Sequence, residues 1–161
     1  MDEIKVITVP VDFSENAQII AESAAYVAGT FKAELHFIYV VQNFEDYSGF
    51  IVPPVNLPTI EQDIFKSAQE RMEQFMEENA ALCTEKGVEK TFSEVLIGDV
   101  GEEILDYSDK VDTDLIIMGT HGYKGLERIM FGSIADKVVK TSSCPVMTIN
   151  PYRKNKGAKK D

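Results

Sequence analysis

The chain has 161 residues, 44% of them hydrophobic, which suffices for one compact domain with a full core and is too few for two ordinary ones. Its net charge is −11, and because the last nine residues, RKNKGAKKD, hold five cations and one carboxylate, residues 1–152 carry −15. A body that acidic repels nucleic-acid phosphates and anionic membrane, and no apolar run approaches the roughly 18–20 residues that span a bilayer, so nucleic-acid binding and membrane insertion are both disfavoured.

The start, MDEIKVITVPVD, has neither a basic region nor a cleavage-type apolar segment, so a cytoplasmic protein is expected. Cys83 and Cys144 belong to no CxxC pair, and with two histidines in the chain they suggest neither a disulfide framework nor a zinc site. The β-branched run IKVITVPVD reads as a strand ending at Asp12. SENAQIIAESAAYVAG follows as a helix with Ser14 placed to cap it and Gly29 to stop it. AELHFIYVV is a second strand, apolar enough towards its end for burial on both faces of a parallel sheet.

QNFEDYSGFIVPPVNLP, with three prolines and a glycine, is a long loop. The helix TIEQDIFKSAQERMEQFMEENAALCTEKG opens on the capping-box pattern Thr59 to Gln62 and stops at Gly87. Its apolar positions Ile60, Ile64, Ala68, Met72, Phe75, Met76 and Leu82 recur at helical spacing and read as core. KTFSEVLIG is a third strand, DVGEEILDYSDKV a helix capped by Asp99, TDLIIMG a fourth strand, SIADKVVKTSS a fourth helix and PVMTI a fifth strand. This βαβαβαβαβ alternation calls for a doubly wound parallel sheet with helices on both faces. In such sheets ligands bind outside the carboxyl ends of the strands, where Asp12, Val40, Val41 and Gly119 fall.

The stretch GTHGYKGLERIMFGS, residues 119–133, holds four glycines directly after the most hydrophobic run. Glycine inside a regular element costs about 0.5–1 kcal/mol relative to alanine, so this density asks for positive-φ turns or for a ligand against bare backbone. A helix beginning at Ser133 would offer unpaired amides and roughly half a positive charge, a ready anion site. Lys124 and Arg128 read equally as a solvated loop face or as phosphate contacts. The segment is neither a P-loop, GxxxxGK followed by Ser or Thr, nor a GxGxxG fingerprint after the first strand.

The pattern GxxG, nine residues, then Gly-Ser resembles the hallmark of the nucleotide-binding universal stress proteins. Together with VPVDFSENA after the first strand and the order of elements, the resemblance covers roughly residues 3 to 150. It implies a single-domain, Rossmann-like open sheet in strand order 3-2-1-4-5, akin to the adenine nucleotide alpha hydrolase-like folds, with ATP, AMP or ADP at its carboxyl edge, Mg²⁺ bridged by phosphates, and homodimers. By position, Pro10, Val11, Asp12, Val40 and Val41 would hold adenosine, and Met118, Gly119, His121, Gly122, Gly132, Ser133, Ile134 and Ala135 would line ribose and phosphates. Asp12 has a competing reading as a turn carboxylate beside Ser14. His36, alternating with apolar neighbours, reads as a packed or surface residue.

Residues 1–152 are therefore expected to form the domain and 153–161 a basic, disordered tail. The function implied is a stress-response regulatory or signalling module with a protein partner the sequence does not name. A slow ATP hydrolase or autophosphorylating protein, or a dimer that binds no nucleotide, are the competing readings. Binding is better supported than catalysis, since the crevice offers one firm carboxylate and no recognisable base pair. The apolar fifth strand, at the sheet edge, is expected to pair with a second copy through Val146 to Ile149.

Overall fold

In the computed structural model, residues 3–42, 57–120 and 132–152 are described. They form β1 (Val6–Pro10), α1 (Ala17–Phe31), β2 (Glu34–Gln42), α2 (Leu57–Lys86), β3 (Thr91–Gly98), α3 (Val100–Lys110), β4 (Leu115–Gly119), α4 (Ser133–Thr141) and β5 (Val146–Ile149). The strands make one parallel sheet in the order β3-β2-β1-β4-β5. The alternation expected from the sequence is thus present, with β5 at an edge.

Side chains alternate across a strand, so each central strand feeds two cores. Leu35 and Phe37 of β2 and Leu115 and Ile117 of β4 pack with α1 and α2 on one face. Ile38, Val40, Ile116 and Met118 pack with α3 and α4 on the other. This accounts for the near-continuous apolar runs in these strands. In α2 the buried positions are Ala68, Met72, Phe75, Asn79 and Cys83, whereas Ile60 is exposed. The helical stripe is core from Ala68 onward.

Several boundaries differ from expectation for local reasons. Ser14 does not cap α1; its hydroxyl accepts from the Asn16 amide (3.3 Å), and the helix starts two residues later, at Ala17, with Asn16 at the cap position. Gly29 does not stop α1 either. The helix runs on to Phe31 and ends at Lys32 in the left-handed region (φ 55°), with the Ala33 amide donating to Ala28 O (2.9 Å). Gly29 instead faces the end of α2, where a Cβ would overlap the Lys86 carbonyl. Thr59 lies inside α2 rather than at its cap, because the helix already begins at Leu57. Two expectations hold: Gly87 follows α2 at φ 82°, and the Asp99 carboxylate accepts the Glu102 amide (2.9 Å).

Among the described residues, no helix is long and apolar enough to cross a membrane. Both cysteines are free, and burial pushes the Cys83 thiol up.

His36 is packed, as its alternation suggested. Its Nδ1 lies 3.0 Å from the Tyr107 hydroxyl and its ring 4.6 Å from that of Phe92. Burial holds its pKa below the ordinary imidazole value, against the pull of Glu34 and Glu94. It belongs to the amino-terminal half of β2, away from the carboxyl edge of the sheet.

Candidate functional site: the carboxyl edge between β1 and β4

Strand order reverses between β1 and β4, and there the ladder is shortest. Only Ile7–Leu115 and Thr8–Ile116 are in register, against five pairs between β1 and β2. Among the described residues, no bridged pair follows Thr8–Ile116 towards the carboxyl ends, and the switch point there is where open sheets of this kind offer a crevice to ligands. Beyond β1, the Val11 amide donates to Ile38 O (2.9 Å). The half-buried Asp12 then accepts the Ser14 amide on Oδ1 (2.9 Å). The turn reading of Asp12 is therefore real, and it occupies one carboxylate oxygen.

On the β4 side, two strand exits and the start of α4 are tied together. The Thr120 amide donates to Ile149 O (2.9 Å), and the Gly132 amide donates to Thr120 O (3.3 Å). The two ends of the glycine segment thus meet, and the amino-terminal end of α4 is held against the end of β4. Thr120, buried to 6% exposure, is the link, and nothing in a glycine pattern singled it out. A Cβ on Gly132 would sit 3.3 Å from Thr120 O, so glycine here permits the close approach of two backbones.

In α4 the Asp136 amide donates to Gly132 O (2.9 Å), while no acceptor is placed for the Ser133, Ile134 and Ala135 amides among the described residues. Ser133 and Ile134 are exposed. Ala135 is buried in one cluster with Val40 and Met118, which makes an apolar floor beneath these amides. Val40 and Val41 are adjacent in one strand and so project to opposite faces; the cluster includes Val40 alone. Val11 packs into the core on the other face, with its amide taken by Ile38 O. Pro10 ends β1, and Gly119 ends β4 in register with Ile149. His121, Gly122, Lys124 and Arg128 lie outside the described residues.

The described cations of α4 are engaged elsewhere. Lys137 bonds Asp99 (2.9 Å) and Glu102 (3.3 Å), and Lys140 pairs with Asp136 (2.8 Å). The Glu102 amide and then Lys137 hold the Asp99 carboxyl below the usual range. Among the described residues, an anion in this crevice would accordingly meet backbone amides rather than lysine. Among the described residues no cluster of three or more His, Cys, Asp or Glu could hold a metal. One cleft of about 510 Å³ lies away from this edge, along Tyr26, Leu82 and Lys86, and another of about 230 Å³ adjoins the Asp12 turn, lined by Phe13, Ser14 and Arg71.

The sequence and its parallel 3-2-1-4-5 sheet match proteins of known family. The family model of the universal stress proteins matches residues 3–150. The chain belongs to that family. Universal stress protein MJ0531 of Methanocaldococcus jannaschii is 35% identical over 152 residues, covering 93% of this chain and 84% of that protein. The structure of the universal stress protein UspA from Lactobacillus plantarum superposes with a TM-score of 0.77 at 24% identity, over 93% of this chain and 100% of that one.

The universal stress protein fold is also shared, at TM-scores of 0.60, by two structures solved with nucleotides. One was solved in complex with cAMP (17% identity, 93% of this chain and 99% of that one). The other, from Archaeoglobus fulgidus, was solved in complex with dAMP (18% identity, 93% of this chain and 100% of that one).

Proposed function

We propose that this universal stress protein binds an adenine nucleotide, ATP or its mono- or diphosphate, at the β1/β4 crevice, and that it works as a stress-response regulatory module. The observation that carries the reading is the closure of Gly132 onto Thr120. It holds the start of α4, whose Ser133, Ile134 and Ala135 amides have no acceptor among the described residues, at the edge whose other side is the Asp12 turn. Two family members were solved with cAMP and with dAMP, which supports a nucleotide of this class. Helix amides and the helix dipole suit phosphate oxygens, and Ser133 adds a hydroxyl donor. Val40 and Met118 offer an apolar edge to adenosine, with Pro10, Val11 and Val41 contributing backbone. Asp12 has an oxygen left for ribose or for a phosphate-bound Mg²⁺. His121 and Gly122 would complete the phosphate side.

Binding, rather than fast phosphoryl transfer, is the better reading, because Asp12 is engaged with Ser14 and Asp136 with Lys140. Residues 1–152 would form the binding domain and 153–161 a cationic tail. Titration calorimetry with ATP and AMP, with and without Mg²⁺, tests the proposal. Saturable binding is expected, with the folded state stabilised by RT ln(1 + [L]/Kd), roughly 2.7 kcal/mol at a hundredfold excess, and the thermal midpoint raised accordingly. No heat and no shift with any adenine nucleotide at millimolar concentration would remove it.

A homodimer through β5 belongs to the same proposal. Pro145 O and Ile149 O bond towards β4, so the backbone groups of Val146 and Thr148 face the free edge. The strand carries no charge, and Met147 is 40% exposed. Such an edge invites antiparallel pairing. Thr148→Pro removes an outward donor without touching the β4 ladder, and Met147→Lys adds a charge. Sedimentation equilibrium at micromolar concentration is expected to show a dimer for the parent and a monomer for the double variant. A monomeric parent, or a dimer that tolerates both changes, would count against the interface.

A further inference from the structure

Phe13, directly after Asp12, has φ 56°, a conformation that bulky side chains rarely adopt. Among the described residues, the other non-glycine residues with positive φ are Lys32 and Asp112, both at helix ends. Phe13 stands in the turn of the proposed nucleotide site, so something must hold it there. Its ring lies 4.5 Å from that of Tyr39 and 6.0 Å, edge-on, from that of Phe75.

Arg71, from the middle of α2, completes the grip. The guanidinium carbon is 5.2 Å from the Phe13 ring centroid, and Nη2 reaches Phe13 O at 3.5 Å. One side chain thus touches both the ring and the carbonyl of the strained residue. The carbonyl of Phe13 and the amide of Ser14 are two ends of one planar peptide unit. Arg71 takes the oxygen of that plane, and the Asp12 carboxylate accepts its N–H at 2.9 Å. Rotating the plane would break both bonds together. A donor on the oxygen also polarises the amide and strengthens its bond to the carboxylate.

Resting on the nucleotide reading above, we propose that Arg71 is a positioning residue of the site: through the Phe13–Ser14 peptide it fixes the direction of the Asp12 carboxylate without touching the ligand. Arginine suits the task because its planar fork can cover an aromatic face while donating in its own plane, which the ammonium of lysine cannot.

The test compares the parent, Arg71→Ala, Asp12→Ala and the double variant, each first shown to keep its circular dichroism and its ligand-free melting transition. In the ligand-free protein, the Ser14 amide is expected to exchange roughly tenfold faster in Arg71→Ala, with the Val9 and Ala24 amides unchanged. Equal Ser14 exchange in parent and variant would overturn the proposal, and this readout decides it even if the parent binds no nucleotide. In ATP titrations, Arg71→Ala is expected to raise Kd about three- to tenfold, the range set by one lost hydrogen bond. Asp12→Ala raises it further, and the double variant matches Asp12→Ala, because the guanidinium acts through that carboxylate. Parent affinity in Arg71→Ala, or penalties that multiply in the double variant, would overturn it. Loss of ATP binding by the parent itself counts instead against the nucleotide reading.

Discussion

Gly29→Ala is expected to lower the thermal midpoint by roughly 4–8 °C, against what helix propensity alone dictates. Gly29 lies inside α1, where alanine would ordinarily gain about 0.5–1 kcal/mol. The added methyl, however, would overlap the Lys86 carbonyl oxygen at the end of α2. A backbone atom cannot swing aside as the tip of a side chain does, least of all here. Gly87 turns the chain at φ 82°, and the Val88 amide is bonded to Cys83 O (2.9 Å), so the end of α2 is fixed. Overpacking costs about 1–3 kcal/mol, and more where backbone must move. With the propensity gain set against it, a net loss of about 2 kcal/mol is expected, at 2–4 °C per kcal/mol for a domain of this size. Thermal melts with a urea titration at 25 °C check the value. A midpoint equal to or above the parent's would mean that the two helices can separate at this point without penalty.

The same residue illustrates what a sequence conceals. A glycine 15 residues after a capping serine reads as a helix stop, since the pattern for stopping and the pattern for close packing are both simply glycine. Only a second element, 57 residues further on, distinguishes them. Period-2 alternation and apolar runs need no such partner, and from them the parallel sheet and its helices were legible, whereas the edge position of β5 came with the strand order that the family resemblance implies. Asp99 was legible for the same reason: a cap and its amide are three residues apart.

At the site, the residues that the family pattern names were legible, but their division of labour was not. Val40 and Val41 look alike in sequence, but the pleat sends them to opposite faces and only Val40 joins a core cluster. Asp12 has a turn role set by its neighbour Ser14, visible as an alternative from the start. Thr120 and Arg71 carried no signal. Thr120 matters because it joins β5 to α4 through its backbone, and Arg71 because α2 brings it to a turn 58 residues earlier in the chain. Both depend on contacts between elements, which periodicity does not encode. The charges of α4 also mislead when read alone, since Lys137 and Lys140 are taken up by Asp99, Glu102 and Asp136.

If phosphate sits on the α4 amides, Gly132→Val is expected to weaken ATP binding tenfold or more, about 1.4 kcal/mol or above. Gly132 donates its amide to Thr120 O at 3.3 Å and accepts the first helical bond from the Asp136 amide at 2.9 Å. A Cβ would stand 3.3 Å from that same Thr120 oxygen and 3.9 Å from the Ala135 Cβ. Alanine can be accommodated if the end of β4 yields by a few tenths of an ångström, so Gly132→Ala is expected to bind nearly as the parent does. Valine adds two γ-methyl groups with a stiff χ1, and they must enter the space over the Ser133 amide where an anion would lie. Gly122→Val, on the residue outside the described ones, belongs to the same series. Ser133→Ala should cost less, about 0.5–1.5 kcal/mol, as one neutral hydrogen bond is lost while the amides and the helix dipole remain. Lys140→Gln, at the far end of this nine-residue helix, serves as the control and should leave affinity within twofold. Calorimetric titration of each variant, with circular dichroism to confirm folding, separates the outcomes. Folded Gly132→Val that binds ATP like the parent would show that phosphate does not rest on these amides, leaving Gly132 as the point where α4 and β4 approach and nothing more.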